Sequence, residues 1–177
     1  MDFLDLLLKR RSVRKYSGDE ISKKDLDLIL KAGLLAPTGR NLKSCMFLVV
    51  ENKKTLEKLS SVKDSGSGFL KDANKAIVVI ANHLVSDTWI EDSSIALGYM
   101  HLMAANLDVG SCWVQVRLRE ANGVKSEDLV REILGIDDFY NIVGILGLGI
   151  PYGEVNSHKL DDIDKNRVHF LFNLKNK

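Results

Sequence analysis

Ala76-Ile77-Val78-Val79-Ile80-Ala81 is an uninterrupted apolar run, and it constrains the fold more strongly than any other segment of the chain. A run of this length without alternating polar residues predicts a strand that is buried on both faces. The segment from Ile142 to Leu148 repeats the pattern, with two glycines among its apolar residues. Between the two runs, residues 92–107 are apolar on nearly every side of a helix, which predicts a central helix covered by protein on most sides.

Weaker patterns place further elements around this centre. Apolar periodicity and turn residues predict strands over 46–50 and 110–116, and helices over 2–9, 22–36, 53–59 and 126–134. The expected N-caps of three of these helices are Asp2, Ser22 and Ser126, and Gly135 is expected to end the last one.

These elements predict an α+β or α/β arrangement of about four strands, with the whole chain, residues 1–177, forming a single domain. The tail over 151–177 has little periodicity, and we expect it to pack on its own domain or on a partner subunit.

Composition excludes several classes of protein. The chain has 177 residues, with 25 Lys and Arg against 24 Asp and Glu, so the net charge of +1 does not indicate a general polyanion binder. The two cysteines, Cys45 and Cys112, lie far apart and form no CxxC motif, which favours free thiols in a reducing cytoplasm. The N-terminus is acidic where a signal peptide is basic, and no apolar run approaches the ~18 residues of a membrane-spanning helix.

Common catalytic motifs are absent from the sequence, including the Walker A motif, HExxH and GxSxG. The glycines of 144–149 resemble a reversed dinucleotide fingerprint, but they lead into Ile150-Pro151 instead of a helix, so we expect them to allow close approach of another backbone or a ligand. The four histidines have no metal-ligand spacing. His101 lies on the predicted central helix, where a hydrogen-bonded core or interface histidine is favoured over a catalytic one.

The segment from Lys9 to Lys15 carries five cationic residues among seven. It has three interpretations: a solvated charge run after a helix, a nucleic-acid contact, or an anion site for a phosphorylated cofactor. The third suits arginine, because its planar guanidinium binds phosphate or a ring carbonyl through two hydrogen bonds.

Five motifs give the sequence a resemblance to a known family. The segment Arg10-Arg11-Ser12-Val13-Arg14-Lys15-Tyr16 resembles the opening RRSxRxF/Y motif of the FMN-dependent nitroreductase family. The segment 36–41 resembles its APSxxN loop, and 107–113 is similar to its GLGSCW strand entry. Near the C-terminus, Lys165-Asn166-Arg167 and Gly149-Ile150-Pro151 resemble the K-x-R and G-x-P motifs of the same family. In an extended tail, the alternate residues Lys165 and Arg167 would point their side chains the same way and could contact one anion.

The resemblance implies an α+β nitroreductase-like fold with a mixed central sheet flanked by helices. It also implies an intertwined homodimer with exchanged termini and two FMN sites at the subunit interface. The central helix over 92–107 would then form much of the dimer core.

The resemblance also implies a set of cofactor-binding residues. Arg10 and Ser12 would contact the phosphate and ribityl groups, Arg11 would contribute mainly through its backbone, and Arg14 would reach the N1/O2 edge of the ring. A loop of the second subunit would add contacts from Pro37, Thr38 and Asn41. One strand would pass the ring with Ser111, Cys112, Trp113 and Val114. The C-terminal tail would close on the phosphate with Lys165 and Arg167. Trp113 would either approach the flavin or belong to the core with only its backbone near the ring.

The implied activity is reduction of nitroaromatics, quinones or similar small acceptors with electrons from NADH or NADPH. Two alternatives remain open: a specialised relative that fragments its flavin or dehalogenates an aromatic, and an anion- or nucleic-acid-binding module using the Lys9 to Lys15 run. The chain departs from the family at Lys43-Ser44-Cys45, where Gln-Pro-Trp is frequent, so a cation is expected at the rim of the pocket. The chain is also short for the family, which predicts an open pocket.

Overall fold

The computed structural model describes residues 2–170. Its helices are α1 (Phe3–Lys9), α2 (Lys23–Leu34), α3 (Lys53–Leu59), α4 (Trp89–Asn106) and α5 (Ser126–Leu134). Its strands are β1 (Cys45–Val50), β2 (Lys75–Asn82), β3 (Gly110–Gln115), β4 (Glu120–Ala121), β5 (Val124–Lys125) and β6 (Tyr140–Gly149). Short 3-10 turns occupy Gly39–Asn41, Gly68–Asp72, Leu160–Asp162 and Lys165–Arg167.

Four strands form the central sheet in the order β1-β2-β6-β3, and β4 and β5 form a separate hairpin. Every pairing between strands of the central sheet is antiparallel. The sheet was expected to be mixed; among the described residues, parallel pairing occurs only at an isolated bridge between Ser12 and Ser111. β2 and β6 occupy the middle of the sheet and are almost entirely buried, which confirms the prediction from their apolar runs.

Two apolar layers cover the sheet. On one face, α3 and α5 contribute Leu56, Leu59 and Val130 to a core with Val78 and Ile145. On the other face, α2 and α4 contribute Ile29, Leu97 and Met100, which pack with Ile77 and Val79. Successive residues of β2 thus enter opposite cores, as the pleat of a strand requires. This layout confirms the α+β class.

α4 differs from the prediction in its burial. Its buried residues form one stripe that faces the sheet and α2, and on its other side Ile95 and Tyr99 are 37% and 43% exposed. The expectation of a helix covered on most sides is therefore wrong for the single chain. The apolar residues that remain uncovered leave a face on which another surface can pack.

Most predicted helix ends are confirmed. Asp2 and Ser22 accept the expected capping hydrogen bonds, and Gly135 ends α5 in the left-handed conformation. Ser126 does not cap α5: it is the first helical residue, and its N–H donates to the Arg119 carbonyl at 2.8 Å. Its buried hydroxyl has no hydrogen-bond partner among residues 2–170. The capping prediction is wrong because β5 ends at Lys125 and α5 begins directly at Ser126, so the N-cap position is Lys125 and not Ser126.

Within residues 2–170, no helix combines the length and hydropathy needed to cross a membrane. The same residues contain no group of three or more His, Cys, Asp and Glu side chains that could hold a metal ion. Cys45 is partly buried and Cys112 is buried, and both are free thiols, as predicted.

Candidate functional site

The arginine-rich segment lies against one end of the central sheet. After α1 ends, the chain runs past the start of β3, where the Val13 N–H donates to the Ser111 carbonyl at 2.9 Å. It then meets the residues that follow β6, where the Ser17 N–H donates to the Ile150 carbonyl at 2.9 Å. Three of the sequence motifs, around residues 10–16, 107–113 and 149–151, are therefore neighbours in space.

Tyr16 holds this segment in place. Its hydroxyl donates to the Val13 carbonyl at 3.0 Å, and burial raises the pKa of the phenol. The ring lies so close to Gly149 that a Cβ atom there would sit 2.5 Å from ring carbons. This contact confirms that a glycine of the 144–149 run allows close approach, here of a side chain from the arginine-rich segment.

The segment presents two different faces. Ser12 forms an isolated bridge with Ser111, and alternate side chains of an extended segment share a face, so we expect Arg10, Ser12 and Arg14 on one side and Arg11 on the other. Burial raises the pKa of the Cys112 thiol, while the Arg14 charge, a hydrogen bond with Ser12 and the Arg10 charge act in the opposite direction. Arg14, Ser12 and Arg10 are thus within electrostatic range of the same thiol, as is Lys63.

Arg11 lines a cavity of about 340 Å³ together with Val13, Ser111 and Pro151. Its guanidinium donates to the Asn156 carbonyl at 3.1 Å, so the side chain is held by the C-terminal tail of its own chain.

Four of the five cations of the Lys9 to Lys15 segment lack an acidic partner among the described residues. Among the described residues, Lys9 pairs with Asp108 at 2.6 Å, but Arg10, Arg11, Arg14 and Lys15 have no carboxylate within 4 Å. A cluster of cations without carboxylate partners is electrostatically suited to an anion.

His101 connects two of the predicted binding residues. Its Nε2 lies 3.2 Å from Arg10 Nη1, and its Nδ1 lies 2.5 Å from Ser111 Oγ. His101 is 8% exposed and Ser111 is 2% exposed, so the contact is shielded from water. The sequence correctly favoured a hydrogen-bonded core histidine, but it did not predict that the partners would be Arg10 and Ser111.

The strand residues point mainly into the protein. Ser111, Cys112 and Val114 are buried, and Trp113 packs beside the second core while its indole N–H donates to Gln115 Oε1 at 3.1 Å. Of the two alternatives for Trp113, the structure favours the core. A ligand beside β3 would therefore meet mainly its backbone.

The loop carrying Pro37, Thr38 and Asn41 lies elsewhere on the chain. The Gly39 N–H donates to Asp92 Oδ1 at 2.9 Å, near the start of α4. Asp92 and His101 are separated by nine positions of one helix, or about 14 Å along its axis. The loop and the arginine-rich segment consequently line different cavities of the single chain.

The loop borders a groove of about 290 Å³ whose lining includes Pro37, Thr38, Asn41 and Lys43. Lys43 is thus a cation at the rim of this groove, and Cys45 contributes to the lining with its Sγ 3.3 Å from Ser93 Oγ. Asp92, which anchors the loop, was not identified from sequence, because it stands beside Glu91 in the first turn of α4, where acidic residues are common.

Lys165 and Arg167 are exposed and belong to a 3-10 turn that Asp164 caps through the Asn166 N–H. The sequence argument treated them as alternate residues of an extended segment whose side chains point the same way. That argument is wrong, because residues two apart in a 3-10 turn project about 120° apart.

The fold and the site define an α+β protein with a fixed cationic segment at one end of an antiparallel sheet. A family model described as "Nitroreductase family" matches residues 7–66 and 61–150. An FMN-dependent nitroreductase from Clostridium difficile R20291 superposes with a TM-score of 0.93 and 41% identity, over 96% of this chain and 99% of that chain. A protein of Archaeoglobus fulgidus whose name refers to NADH dehydrogenase and NAD(P)H nitroreductase is 35% identical, over 94% of this chain and 95% of its own.

A relative from Methanothermobacter thermautotrophicus with the same name is 30% identical, over 96% of this chain and 86% of its own. The chain belongs to the nitroreductase family, a family of oxidoreductases. The family resemblance drawn from the five motifs is confirmed.

Proposed function

We propose that this protein is an FMN-dependent oxidoreductase that uses NADH or NADPH to reduce nitroaromatics, quinones or similar small acceptors. The observation that carries the proposal is the arginine-rich segment, in which Arg10, Arg11 and Arg14 have no carboxylate partner among the described residues. The relative from Clostridium difficile is named as FMN-dependent, and those from Archaeoglobus fulgidus and Methanothermobacter thermautotrophicus carry NAD(P)H in their names. When bound, FMN supplies the redox chemistry by taking hydride at N5 and passing electrons to an acceptor that replaces the nicotinamide.

The residues present fit a phosphorylated flavin. FMN carries a phosphate, and its ring accumulates negative charge at the N1–C2=O edge on reduction. Arg10 and Arg14 provide guanidinium groups that no described carboxylate neutralises, and Ser12 adds a hydroxyl on the same face. Two guanidinium groups separated along an extended segment can serve two separated centres of negative charge.

In this proposal, Arg10 and Ser12 bind the phosphate and ribityl groups, and Arg14 stabilises negative charge at the ring edge. Arg11 contributes its backbone, since its side chain is engaged by Asn156. The strand over 111–114 would place a backbone N–H near N5, with the side chains of Ser111, Cys112, Trp113 and Val114 supporting the strand from within. Lys165 and Arg167 would close on the phosphate.

We further propose a homodimer in which Pro37, Thr38 and Asn41 of the second subunit complete the site. In support, the loop and the arginine-rich segment of one chain lie at different cavities, so one chain does not bring them together. α1 has no buried residue although five of its seven residues are apolar, and Phe3 is 63% exposed. Burying this helix and the outer face of α4 against a second copy would remove a large apolar surface from water. We also propose that the chain forms a single FMN-binding domain and that the protein is located in the cytoplasm, where both thiols are reduced.

The proposal is tested by purifying the protein, releasing any flavin by denaturation and identifying it. The flavin-loaded protein is then mixed anaerobically with NADH and separately with NADPH, and the flavin absorbance is followed. We expect bleaching by at least one nicotinamide and recovery on addition of a quinone or nitroaromatic. Protein that neither contains nor takes up FMN, or flavin that neither nicotinamide reduces, would contradict it.

A further inference from the structure

His101 is a buried imidazole placed between two residues that are proposed to line the flavin site. One ring nitrogen contacts the Arg10 guanidinium at 3.2 Å, and the other contacts the Ser111 hydroxyl at 2.5 Å. These two residues come from segments about a hundred positions apart in the chain, and His101 joins them from a third segment, α4. The proposed function assigns His101 no role.

The hydrogen-bond roles of the ring follow from its partners. A guanidinium can only donate, so Nε2 of His101 must accept from Arg10. The ring proton is then on Nδ1, from which it donates to Ser111 Oγ, and the serine hydroxyl proton remains free to donate elsewhere. Burial, together with the nearby Arg10 charge, lowers the pKa of His101 from 6.5 to about 4, so the ring is neutral at ordinary pH.

Neutrality matters for the anion site. A carboxylate at position 101 would hold Arg10 equally well, but it would cancel the positive charge and compete with a phosphate for the same N–H groups. A neutral imidazole fixes the guanidinium and leaves its charge available. The surroundings preserve this state, since the adjacent positions on the buried stripe of α4 are the apolar Leu97, Met100 and Ala104.

We propose that His101 is a positioning residue of the flavin site: it orients the Arg10 guanidinium and the Ser111 hydroxyl as one unit without neutralising the arginine. This inference rests on the proposed function. Pre-organising the arginine lowers the entropic cost of ordering a long side chain when the anion binds. His101 therefore acts through Arg10, and its contribution to flavin affinity disappears when Arg10 is absent.

The experiment is a double-mutant cycle on flavin affinity. Apo-protein is prepared for the wild type, His101→Leu, Arg10→Ala and the double variant, and FMN and riboflavin are titrated by quenching of flavin fluorescence. We expect His101→Leu to weaken FMN about tenfold, which is typical for loss of a residue that orients a ligand-binding group. We expect Arg10→Ala to weaken FMN more, and the double variant to equal Arg10→Ala alone. Riboflavin, which lacks the phosphate, should be affected less than FMN by His101→Leu.

Two further variants separate positioning from general packing. His101→Gln retains a carbonyl that can accept from Arg10 and an amide that can donate, so its FMN affinity should stay within about threefold of wild type. If His101→Leu does not fold, His101→Met, an apolar residue of similar size, takes its place in the cycle. Met100→Leu, a neighbour buried on the same helix without a polar contact, is the matched control and should leave FMN affinity unchanged.

If the losses of FMN affinity from His101→Leu and Arg10→Ala multiply in the double variant, the inference is overturned. It is also overturned if Met100→Leu weakens FMN binding as much as His101→Leu does. Wild-type protein that binds FMN while the cycle is additive refutes only the role of His101. Wild-type protein that binds no FMN refutes the proposed function, and the inference with it.

Discussion

Asp92 anchors the loop that carries Pro37, Thr38 and Asn41, and its removal gives the most detailed prediction. The carboxylate accepts from the Gly39 N–H at 2.9 Å, from the Ser86 hydroxyl at 3.2 Å and from the Thr88 hydroxyl at 3.3 Å. Asp92 is 3% exposed, so water does not replace these contacts without rearrangement. The perturbation is Asp92→Ala.

The expected loss of stability in Asp92→Ala depends on which of the three hydrogen-bond donors can find another acceptor. The Ser86 and Thr88 hydroxyls lie 3.0 Å apart and can bond each other after the carboxylate is removed. The Gly39 N–H has no such replacement and loses a bond to a charged acceptor, which contributes about 1.5–3 kcal/mol. Adding about 1 kcal/mol for the weakened hydroxyls, Asp92→Ala should lower the free energy of unfolding by roughly 2.5–4 kcal/mol. Asp92→Asn retains an acceptor for Gly39 and should cost about 1 kcal/mol.

Urea unfolding measures these free energies, and hydrogen exchange of the Gly39 amide reports on the loop itself. The matched control is Asp87→Ala, because Asp87 is an exposed carboxylate that pairs with Arg40 at 2.6 Å and should contribute less than about 1 kcal/mol. If Asp92→Ala were as stable as Asp87→Ala, or if Gly39 exchange were unchanged, the assignment of Asp92 as the anchor would be refuted.

Four further predictions concern the charges and the assembly. Arg14→Ala should lower the midpoint potential of bound FMN by tens of millivolts, since ~30 mV corresponds to ~1.4 kcal/mol for two electrons; an unchanged potential in a variant that binds FMN would place Arg14 elsewhere. Lys165→Ala with Arg167→Ala should weaken FMN about tenfold or more and riboflavin much less; equal losses, or none, would leave both as surface charges. Because His101 has a pKa of about 4 when folded and 6.5 when unfolded, the unfolded chain binds more protons between these values, so the free energy of unfolding should fall by roughly 3 kcal/mol as pH drops through this window; a His101→Leu variant with the same pH profile would contradict this. Sedimentation at micromolar concentration should show a dimer; a monomer that still holds FMN would refute the exchanged site.

The central sheet could be predicted from sequence because β2 and β6 are nearly continuous apolar runs. Such runs are typical of strands that are buried on both faces. The predicted helix over 53–59 coincides with α3, since Asn52 caps it locally. α4 was placed correctly, but its burial was overestimated, because an apolar residue such as Tyr99 can face a core or an intersubunit surface and the sequence does not distinguish them. Ser126 was assigned as a cap from its residue type, whereas the adjacent hairpin determines where the helix begins.

In the candidate site, too, some features could be predicted from sequence and others could not. The arginine-rich segment was identified from local composition and motif, and the structure adds that Tyr16 and Gly149 hold it against the sheet. The contacts of His101 and Asp92 depend on which distant segments α4 meets, so no local pattern predicts them. The geometry of Lys165 and Arg167 was misjudged because Asp164 closes a 3-10 turn where an extended segment was expected.

Stoichiometric titration of the apo-protein with FMN is the most direct test of the central claim, that the arginine-rich segment is the phosphate-binding part of a flavin site. We expect saturation at a single FMN per chain, with riboflavin bound more weakly, and a marked loss of FMN affinity on Arg10→Ala that is smaller for riboflavin. Absence of saturable FMN binding, or equal affinity for the two flavins in both proteins, would contradict the claim.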